Sequence, residues 1–310
     1  MFSRLHGSLL PGWIGCEPQG LQSSLALVQR SPEGKPAVRW LASADWSRPA
    51  ETLRQLRRGR ALHRHRRVAL LQNSQYQCVS LDAPTDLPRD EWAAAVRWQL
   101  KDSVDFPVDS AAVDLLTVPE GTSYRTQPQL IVVAAPADSV RPLMQQGAAA
   151  KTPWDAIDIA ETALRNLSAL CEPEGRAQAL LHCQPHHSTL VVTHQGELLF
   201  GRHMDLTLAQ LNHPDEATRT PAYDHAVLQL QRTLDGFERS FGQVTLARLL
   251  IAPMPGLAAF IEHLSPLLYV AVEPLPLDDI LDLSALPPGG TEPGQLNLHV
   301  CAIGAALRDD

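Results

Sequence analysis

The chain has 310 residues, of which 45% are hydrophobic and 19% are charged, and its formal net charge is −8. These values are typical of a globular protein with one large or two moderate domains, and the acidic balance argues against nucleic acid as a partner. No apolar run reaches the roughly 18 to 20 residues that a membrane-spanning helix needs, and the N-terminal segment lacks the apolar core of a secretory signal. The five cysteines are scattered and form no CxxC pair, which favours a reduced, cytoplasmic setting.

The first half of the chain predicts β-hairpins and then helices that alternate with strands. Leu53, Leu56 and Leu62 give the first helix one apolar side, and Pro107 ends the second helix. The predicted elements are strands within 13–18, 23–30 and 37–45, a helix at 49–63, two strands around a polar turn within 68–81, a helix at 88–104, a strand after the loop at Pro107, a buried strand at 129–136, a helix at 139–150, a short strand at 154–159 and a helix at 160–171.

The second half begins after a hinge-like segment at 171–178 and follows a similar plan. Its predicted elements are three strands within 180–202, a polar loop at 212–224, a long amphipathic helix at 224–242, a buried strand at 248–253, a helix at 254–265, a strand at 268–275, a turn-rich segment at 286–295, and a closing strand that leads into a short helix through Gly304. Because both halves order hairpins, helix, buried strand and helix alike, the sequence predicts two related α/β domains around a cleft.

Three segments resemble one protein family. Residues 98–116 (WQLKDSVDFPVDSAAVDLL) resemble the helix, Phe-Pro loop and Asp-bearing strand of PilM-like proteins, which are actin-like-fold components of type IV pilus assembly. Residues 157–170 (IDIAETALRNLSAL) and 302–309 (AIGAALRD) resemble two further segments in the expected order. Within this group the chain is most similar to the MshI family of the mannose-sensitive haemagglutinin (MSHA) pilus.

The resemblance implies an actin-like (ribonuclease H-like) α/β fold and a division of the chain. Domain I is expected at 1–174 with an inserted subdomain at about 80–135, and domain II at 175–295. A closing strand and helix at 296–310 would return to domain I.

The resemblance also places three turns at which such a fold contacts a nucleotide. In the first hairpin, beside Gly15, the position of the acid that places Mg²⁺ water holds Cys16 or Glu17. In the second hairpin, LLHCQPHHSTL, the acid position holds His182 or Cys183.

The third turn, LLIAPMPGLAAF, keeps Gly256 but has Pro253 where the family has a glycine that lets adenosine approach the backbone. Each of the three turns differs from the nucleotide-binding pattern in a way that weakens the binding of Mg-ATP. We therefore predict a vestigial cleft, no cofactor, no metal, no catalytic residue and a non-enzymatic pseudo-ATPase. The alternative is an active Mg-ATP-binding protein with unusual site residues.

For the partner, the resemblance implies the cytosolic N-terminal tail of a PilN-like bitopic inner-membrane protein, together with other assembly-platform proteins. An extended tail would gain backbone hydrogen bonds on an edge strand and pockets beside it. The segment with Trp98, Asp105 and Phe106 is the predicted contact region. The chain is expected in the cytoplasm, peripheral to the inner membrane.

Further interpretations stay open. The cluster His182, Cys183, His186 and His187 offers zinc-type ligands, although neighbours on a strand point to opposite faces, which favours an ordinary hairpin. The basic run at 54–67 is either a solvated helix face or a membrane-surface contact, and it lacks the interleaved aromatics of a nucleic-acid site. The cytoplasmic domain of a type II secretion platform protein shares the fold, and such proteins normally continue into a membrane helix.

Overall fold

The protein is described by a computed structural model that covers residues 9–84, 86–125 and 127–308. Residues 1–8, where the sequence predicts no secretory signal, lie outside the described residues. Within the described residues, no helix combines the length and hydropathy that a membrane span requires.

The order of strands and helices follows the prediction over most of the chain. The strands are β1 Trp13–Gln19, β2 Gln22–Ser31, β3 Gly34–Asp45, β4 Arg66–Leu70, β5 Gln77–Asp82, β6 Ala112–Thr117, β7 Gln129–Ala135, β8 Ala156–Asp158, β9 Ala177–Cys183, β10 Ser188–His194, β11 Glu197–Met204, β12 Leu246–Ile251 and β13 Ala271–Pro274. The helices are α1 Pro49–Gly59, α2 Trp92–Leu100, α3 Ala137–Ala149, α4 Ala160–Ala169, α5 Leu208–Leu211, α6 Glu216–Ser240, α7 Leu257–Leu264, α8 Leu277–Ile280 and α9 Pro293–Ala306.

Two five-stranded sheets share one topology. Their strand orders are β3-β2-β1-β4-β8 and β11-β10-β9-β12-β13. In each sheet the central strand is antiparallel to the strand that follows it and parallel to the strand on its other side. The fold class predicted from the sequence, two related α/β halves, is confirmed. The exact domain boundaries stay a prediction.

A third, three-stranded sheet has the order β5-β7-β6 and belongs to the first half of the chain. The two strands predicted within 68–81 are present, but β4 and β5 lie in different sheets. Helix α2 covers one face of the small sheet, where Val96 and Leu100 pack on Leu130 and Val132.

The closing segment differs from its prediction. Residues 293–306 form the single helix α9, whereas the sequence predicts a strand and then a helix through Gly304. The apolar run at the start of this segment favours a strand in the sequence because a helix buried on nearly all sides leaves no periodic pattern. Pro293 at the first helical position suits a helix start, since its missing N–H is not needed there.

The predicted polar loop at 212–224 is also mostly wrong. Helix α6 begins at Glu216, and the Asp215 carboxylate caps it by accepting the Ala217 N–H at 3.3 Å and the Thr218 hydroxyl at 2.8 Å. The polar composition and Pro221, in the second turn, are typical of a loop, so the sequence pattern does not indicate this solvent-facing start of the helix.

Helix α9 packs against β1, β2 and β4 of the first sheet and against α4 and β9. Two glycines permit this approach. A Cβ atom on Gly15 of β1 would overlap the Ala302 carbonyl, and a Cβ atom on Gly304 of α9 would overlap the Ala163 carbonyl of α4. Gly304 is therefore a packing residue inside the helix, not a break in it.

A matched pair of helix substitutions tests this packing. Gly304→Ala should lower the free energy of unfolding by about 2 kcal/mol or more, because the α4 backbone cannot yield to the added methyl group. Gly236→Ala in α6 adds the same methyl group to open space and should raise the stability by up to about 1 kcal/mol, since alanine favours helices over glycine. Denaturant unfolding measures both, and stabilisation by Gly304→Ala would contradict the packing.

Candidate functional site

A cavity of about 570 Å³ lies where the β1–β2 and β9–β10 hairpins meet. The first hairpin contributes residues 17–24 except Leu21, and the second contributes Gln184, Pro185, His186 and His187. Residues 71–74 after β4 line another wall, together with Ala160 at the start of α4 and Leu298 of α9. The cavity therefore occupies the cleft between the two halves.

The Glu17 carboxylate links the two hairpins across this cleft. Its Oε1 accepts a hydrogen bond from Gln184 Nε2 at 2.7 Å, and its Oε2 accepts one from Gln19 Nε2 at 2.8 Å. Glu17 and Gln184 are both buried. Burial raises the pKa of the Glu17 carboxyl to about 7, and the hydrogen bonds from Gln184 and Gln19 oppose this rise. The one carboxylate near the expected acid position is thus already occupied by protein donors.

The other first-hairpin candidates face elsewhere. Cys16 is buried in a separate apolar cluster with Leu25, Leu53 and Trp46, and burial raises the pKa of its thiol. Gly15 lies under α9. Of the two residues offered for the acid position, Glu17 lines the cavity and Cys16 does not.

Of the second-hairpin candidates, His182 faces α9 with its ring, and Cys183 contacts α9 through its backbone carbonyl. The His182 ring lies 3.1 Å from the Asn297 carbonyl through Nε2 and 3.4 Å from Cys301 Sγ through Nδ1. Burial lowers the pKa of His182 to about 4. Asn297 Nδ2 donates to the Cys183 carbonyl at 3.0 Å. These residues fasten β9 to α9 and do not line the cavity.

The third turn is fastened by the same side chain. Asn297 Nδ2 also donates to the Pro253 carbonyl at 2.8 Å. Gly256 has φ +71 at the start of α7, and a Cβ atom there would come 2.7 Å from Asn212 Oδ1. Neither Pro253 nor Gly256 lines the cavity.

The cavity is poorly suited to a triphosphate. None of the described residues that line it is lysine or arginine. Pro18 and Pro185, one in each hairpin, supply no backbone N–H for a phosphate oxygen. A triphosphate in this cavity would meet no lysine or arginine side chain among the described lining residues. Its Mg²⁺ ion would meet a Glu17 carboxylate that already accepts two hydrogen bonds from the protein.

A second polar cluster, centred on the buried Glu161, lies beside the cavity. Glu161 of α4 is 1% exposed and accepts a hydrogen bond from the Tyr76 hydroxyl at 2.5 Å. His203 of β11 lies 3.0 Å from its other oxygen through Nε2, and the Asn73 amide lies 2.9 Å from His203 Nδ1. The cluster thus joins both halves through α4. Burial and the neighbouring Glu161 charge raise the pKa of the Tyr76 hydroxyl.

Sequence reasoning missed Gln184 and Glu161. Gln184 was visible as the polar residue before Pro185 in the hairpin turn, but its partner Glu17 lies 167 positions away. Glu161 was visible as an acid beside the apolar positions Ala160 and Leu164 of one helix. Its partners Tyr76 and His203 carry no local signal.

His186 is exposed, whereas His187 lies partly buried with its ring centroid 6.1 Å from that of His203. Burial lowers the pKa of His187 to about 4, with the nearby His203 charge as a smaller cause. Across residues 9–84, 86–125 and 127–308, no group of three or more His, Cys, Asp or Glu side chains is arranged to hold a metal ion.

A second concavity, of about 290 Å³, lies between the small sheet and the first large sheet. We call it the β6–β8 groove, because β6 and β8 are edge strands of their sheets. Its lining residues are Leu71, 112–114, Leu116, Val133, Ala135, Val140, 157–159 and Thr162. Edge strands present backbone N–H and C=O groups that lack ladder partners.

The segment predicted to contact a partner lies on the opposite face of the small sheet. Trp98 of α2 is 74% exposed, and the Lys101 ammonium lies 4.1 Å from its ring centroid. Asp105 is exposed and accepts a hydrogen bond from Gln77 at 2.8 Å, while Phe106 packs partly against the core under α2. Alternate residues of β7 face α2 and the groove, so the two surfaces are separate.

Comparison with known proteins rests on structure. No family model matches the sequence, and no curated protein matches it. The chain is similar to a solved PilM–PilN type IV pilus biogenesis complex, with a TM-score of 0.73 and 21% identity over 96% of this chain and 98% of that one. It is similar to the cytoplasmic domain of EpsL, an inner-membrane component of the Vibrio cholerae type II secretion system (TM-score 0.51, 13% identity, 96% of both chains).

A third similar structure is a Bacteroides thetaiotaomicron protein described as having an actin-like ATPase fold and unknown function (TM-score 0.52, 9% identity, 94% of this chain and 95% of that one). Identities this low establish a shared fold. The chain therefore has the actin-like ATPase fold.

The pH dependence of stability tests the state of Glu17. Its pKa of about 7 in the folded protein exceeds the ordinary value of 4.5, so the folded state keeps a proton that the unfolded chain loses. The lowered pKa values of His182 and His187 give an opposite slope in wild type and variants alike. The contribution of Glu17 to the free energy of unfolding should fall as pH rises from about 5 to 7, by about 1 kcal/mol or more. Glu17→Gln should remove this slope, whereas Glu33→Gln at an exposed position should retain it. Parallel profiles for wild type and Glu17→Gln would contradict the assignment.

Proposed function

We propose that this chain is a non-enzymatic scaffold of a type IV pilus assembly platform of the MSHA type. It binds the cytosolic N-terminal tail of a PilN-like bitopic inner-membrane protein and works in the cytoplasm at the face of the inner membrane. The similarity to a PilM–PilN complex and to the cytoplasmic domain of EpsL supports this proposal. Other platform proteins would contact the remaining surface.

The observation that carries the proposal is the β6–β8 groove. An extended peptide laid in it would meet two strand edges at once and could add a strand to either sheet. Val133, Ala135 and Ile157 give the groove apolar walls for side chains of the peptide. The Asp158 carboxylate, also in the lining, is paired with Arg308 at 2.7 Å, so its negative charge is balanced within the protein.

The residues that line the cleft support the proposal that the chain is not an enzyme. Glu17 is held by Gln184 and Gln19, and the lining contributes no lysine or arginine among its described residues. Hydrolysis of ATP needs a placed Mg²⁺ and stabilised phosphate charge. Neither is provided by the side chains that meet there. The proposed domains are 1–174, with the insertion at about 80–135, and 175–295, with α9 returning to the first.

One observation favours a second candidate. The cleft cavity of about 570 Å³ is large enough for a small ligand, so a nucleotide-binding protein of the same fold is the alternative. A platform role in type II secretion is a variant of the first proposal, because a cytoplasmic domain of that system has the same fold.

Peptide binding tests the scaffold role. The probe is a synthetic peptide of the cytosolic N-terminal tail of the PilN-like protein from the same organism, titrated by calorimetry. Ala112 is exposed and lines the groove. Ala112→Trp should therefore block the peptide while leaving the packing of the core intact. It should weaken peptide binding at least about tenfold.

Trp98→Ala is the matched control on the opposite face of the small sheet. It should leave the affinity unchanged if the groove is the site. Loss of binding in Trp98→Ala with normal binding in Ala112→Trp would move the site to the α2 face. No binding of the tail by the wild type would overturn the proposed partner.

A further inference from the structure

Helix α1 and the turn after it hold five arginines that the proposed function does not use: Arg54, Arg57, Arg58, Arg60 and Arg64. None of the five has an ion-pair partner among the described residues. The chain has no acidic residue between Glu51 and Asp82. This concentration of positive charge stands out in a protein whose formal net charge is −8.

Four of these side chains, those of Arg54, Arg58, Arg60 and Arg64, are exposed, and we call them the basic surface. Arg54 and Arg58 lie one helical turn apart, where like charges repel and destabilise the helix. Arg67, the last arginine of the same run, differs from these four in its burial and in its ion pair. It is buried and paired with Asp155 at 2.7 Å, as expected of a structural arginine. Among the exposed four, Arg54 donates to the Ala149 carbonyl at 3.4 Å and Arg60 lies over the Trp40 ring, whereas Arg58 and Arg64 make no such side-chain contact among the described residues.

The neighbourhood of the basic surface suits a lipid interface. The Leu10 N–H donates to the Arg64 carbonyl at 2.6 Å, which holds the adjoining Leu9, 48% exposed, close to the cations. Cations with an adjacent exposed leucine combine attraction to anionic headgroups with burial of apolar area. The nearby Trp40 ring is covered by the Arg60 guanidinium, 5.1 Å from its centroid, so it is not open for base stacking.

The basic surface also lies close to the proposed peptide groove. Helix α1 packs against α3, and Val140 of α3 lines the β6–β8 groove. One helix therefore connects the two surfaces. The proposed tail emerges from the bilayer. A membrane-facing surface one helix away would keep the β6–β8 groove close to that bilayer, where the tail could enter it.

We propose that the basic surface docks the protein on a bilayer that contains anionic lipid. This inference deepens the proposed location at the inner membrane. Its test contains no partner peptide, so failure of the tail to bind would leave its result unaffected.

The test is sedimentation of the full chain with vesicles of phosphatidylcholine, with and without about one-third phosphatidylglycerol. Binding should require the anionic lipid and should be lost at high salt. Arg58→Glu/Arg64→Glu should reduce partitioning at least about tenfold, and Arg58→Gln/Arg64→Gln should reduce it less. Arg58 and Arg64 make no side-chain hydrogen bond among the described residues, so unchanged melting temperatures are expected.

Arg232→Glu/Arg239→Glu, at exposed positions of α6, makes the same change in net charge and should keep the wild-type partitioning. Equal loss in both charge-reversed variants, or no binding by the wild type, would overturn the proposal. A duplex oligonucleotide is the competing occupant. If the wild type binds it but not the anionic vesicles, and Arg58→Glu/Arg64→Glu abolishes that binding, the surface belongs to nucleic acid instead.

Discussion

The close fit of α9 between the two halves is the constraint on which the rest of the structure depends. The helix lies so near β1 and α4 that Gly15 and Gly304 have no room for a methyl group. Asn297 on the same helix donates to the carbonyls of Cys183, at the end of β9, and Pro253, in the loop between β12 and α7. Because backbone carbonyls and a buried amide set these contacts, the two sheets are held in one relative position.

This arrangement explains why the cleft differs in chemistry from a nucleotide site. With α9 in place, the two hairpins meet closely enough for Gln184 to reach Glu17. The Glu17 carboxylate is then held by protein donors, whereas Gln184 Oε1 and His187 Nε2, buried atoms of two lining residues, have no hydrogen-bond partner among the described residues. The cluster of Glu161, Tyr76 and His203 repeats this solution on the other side of α4. A hydrogen bond thus crosses the cleft from one half to the other, and β6 and β8 are edge strands elsewhere in the structure.

The sequence predicted the parts of the fold that leave a periodic or punctuated pattern. The hairpins at 180–202, the buried strand at 129–136 and the order of elements in both halves follow from alternation, turn residues and short apolar runs. Helix α9 was misassigned, because an element buried on nearly all sides has no polar face to reveal its period. The start of α6 was missed for the opposite reason, since its first turns face solvent and contain Pro221. At the cleft, the family resemblance placed the hairpins but could not choose between Cys16 and Glu17. That choice depends on which side of β1 faces α1 and which faces the cleft. The link from Glu17 to Gln184 joins residues far apart in the chain and could not be predicted from either one.

We infer that the side chains lining the actin-like cleft of this chain do not support the binding of Mg-ATP. Calorimetric titration of the full chain with Mg-ATP up to about millimolar nucleotide tests this most directly, together with the melting temperature at each concentration. We expect no heat beyond dilution and no rise in melting temperature. Saturable binding in the micromolar range, with thermal stabilisation to match, would contradict it and would make the nucleotide-binding alternative the leading function.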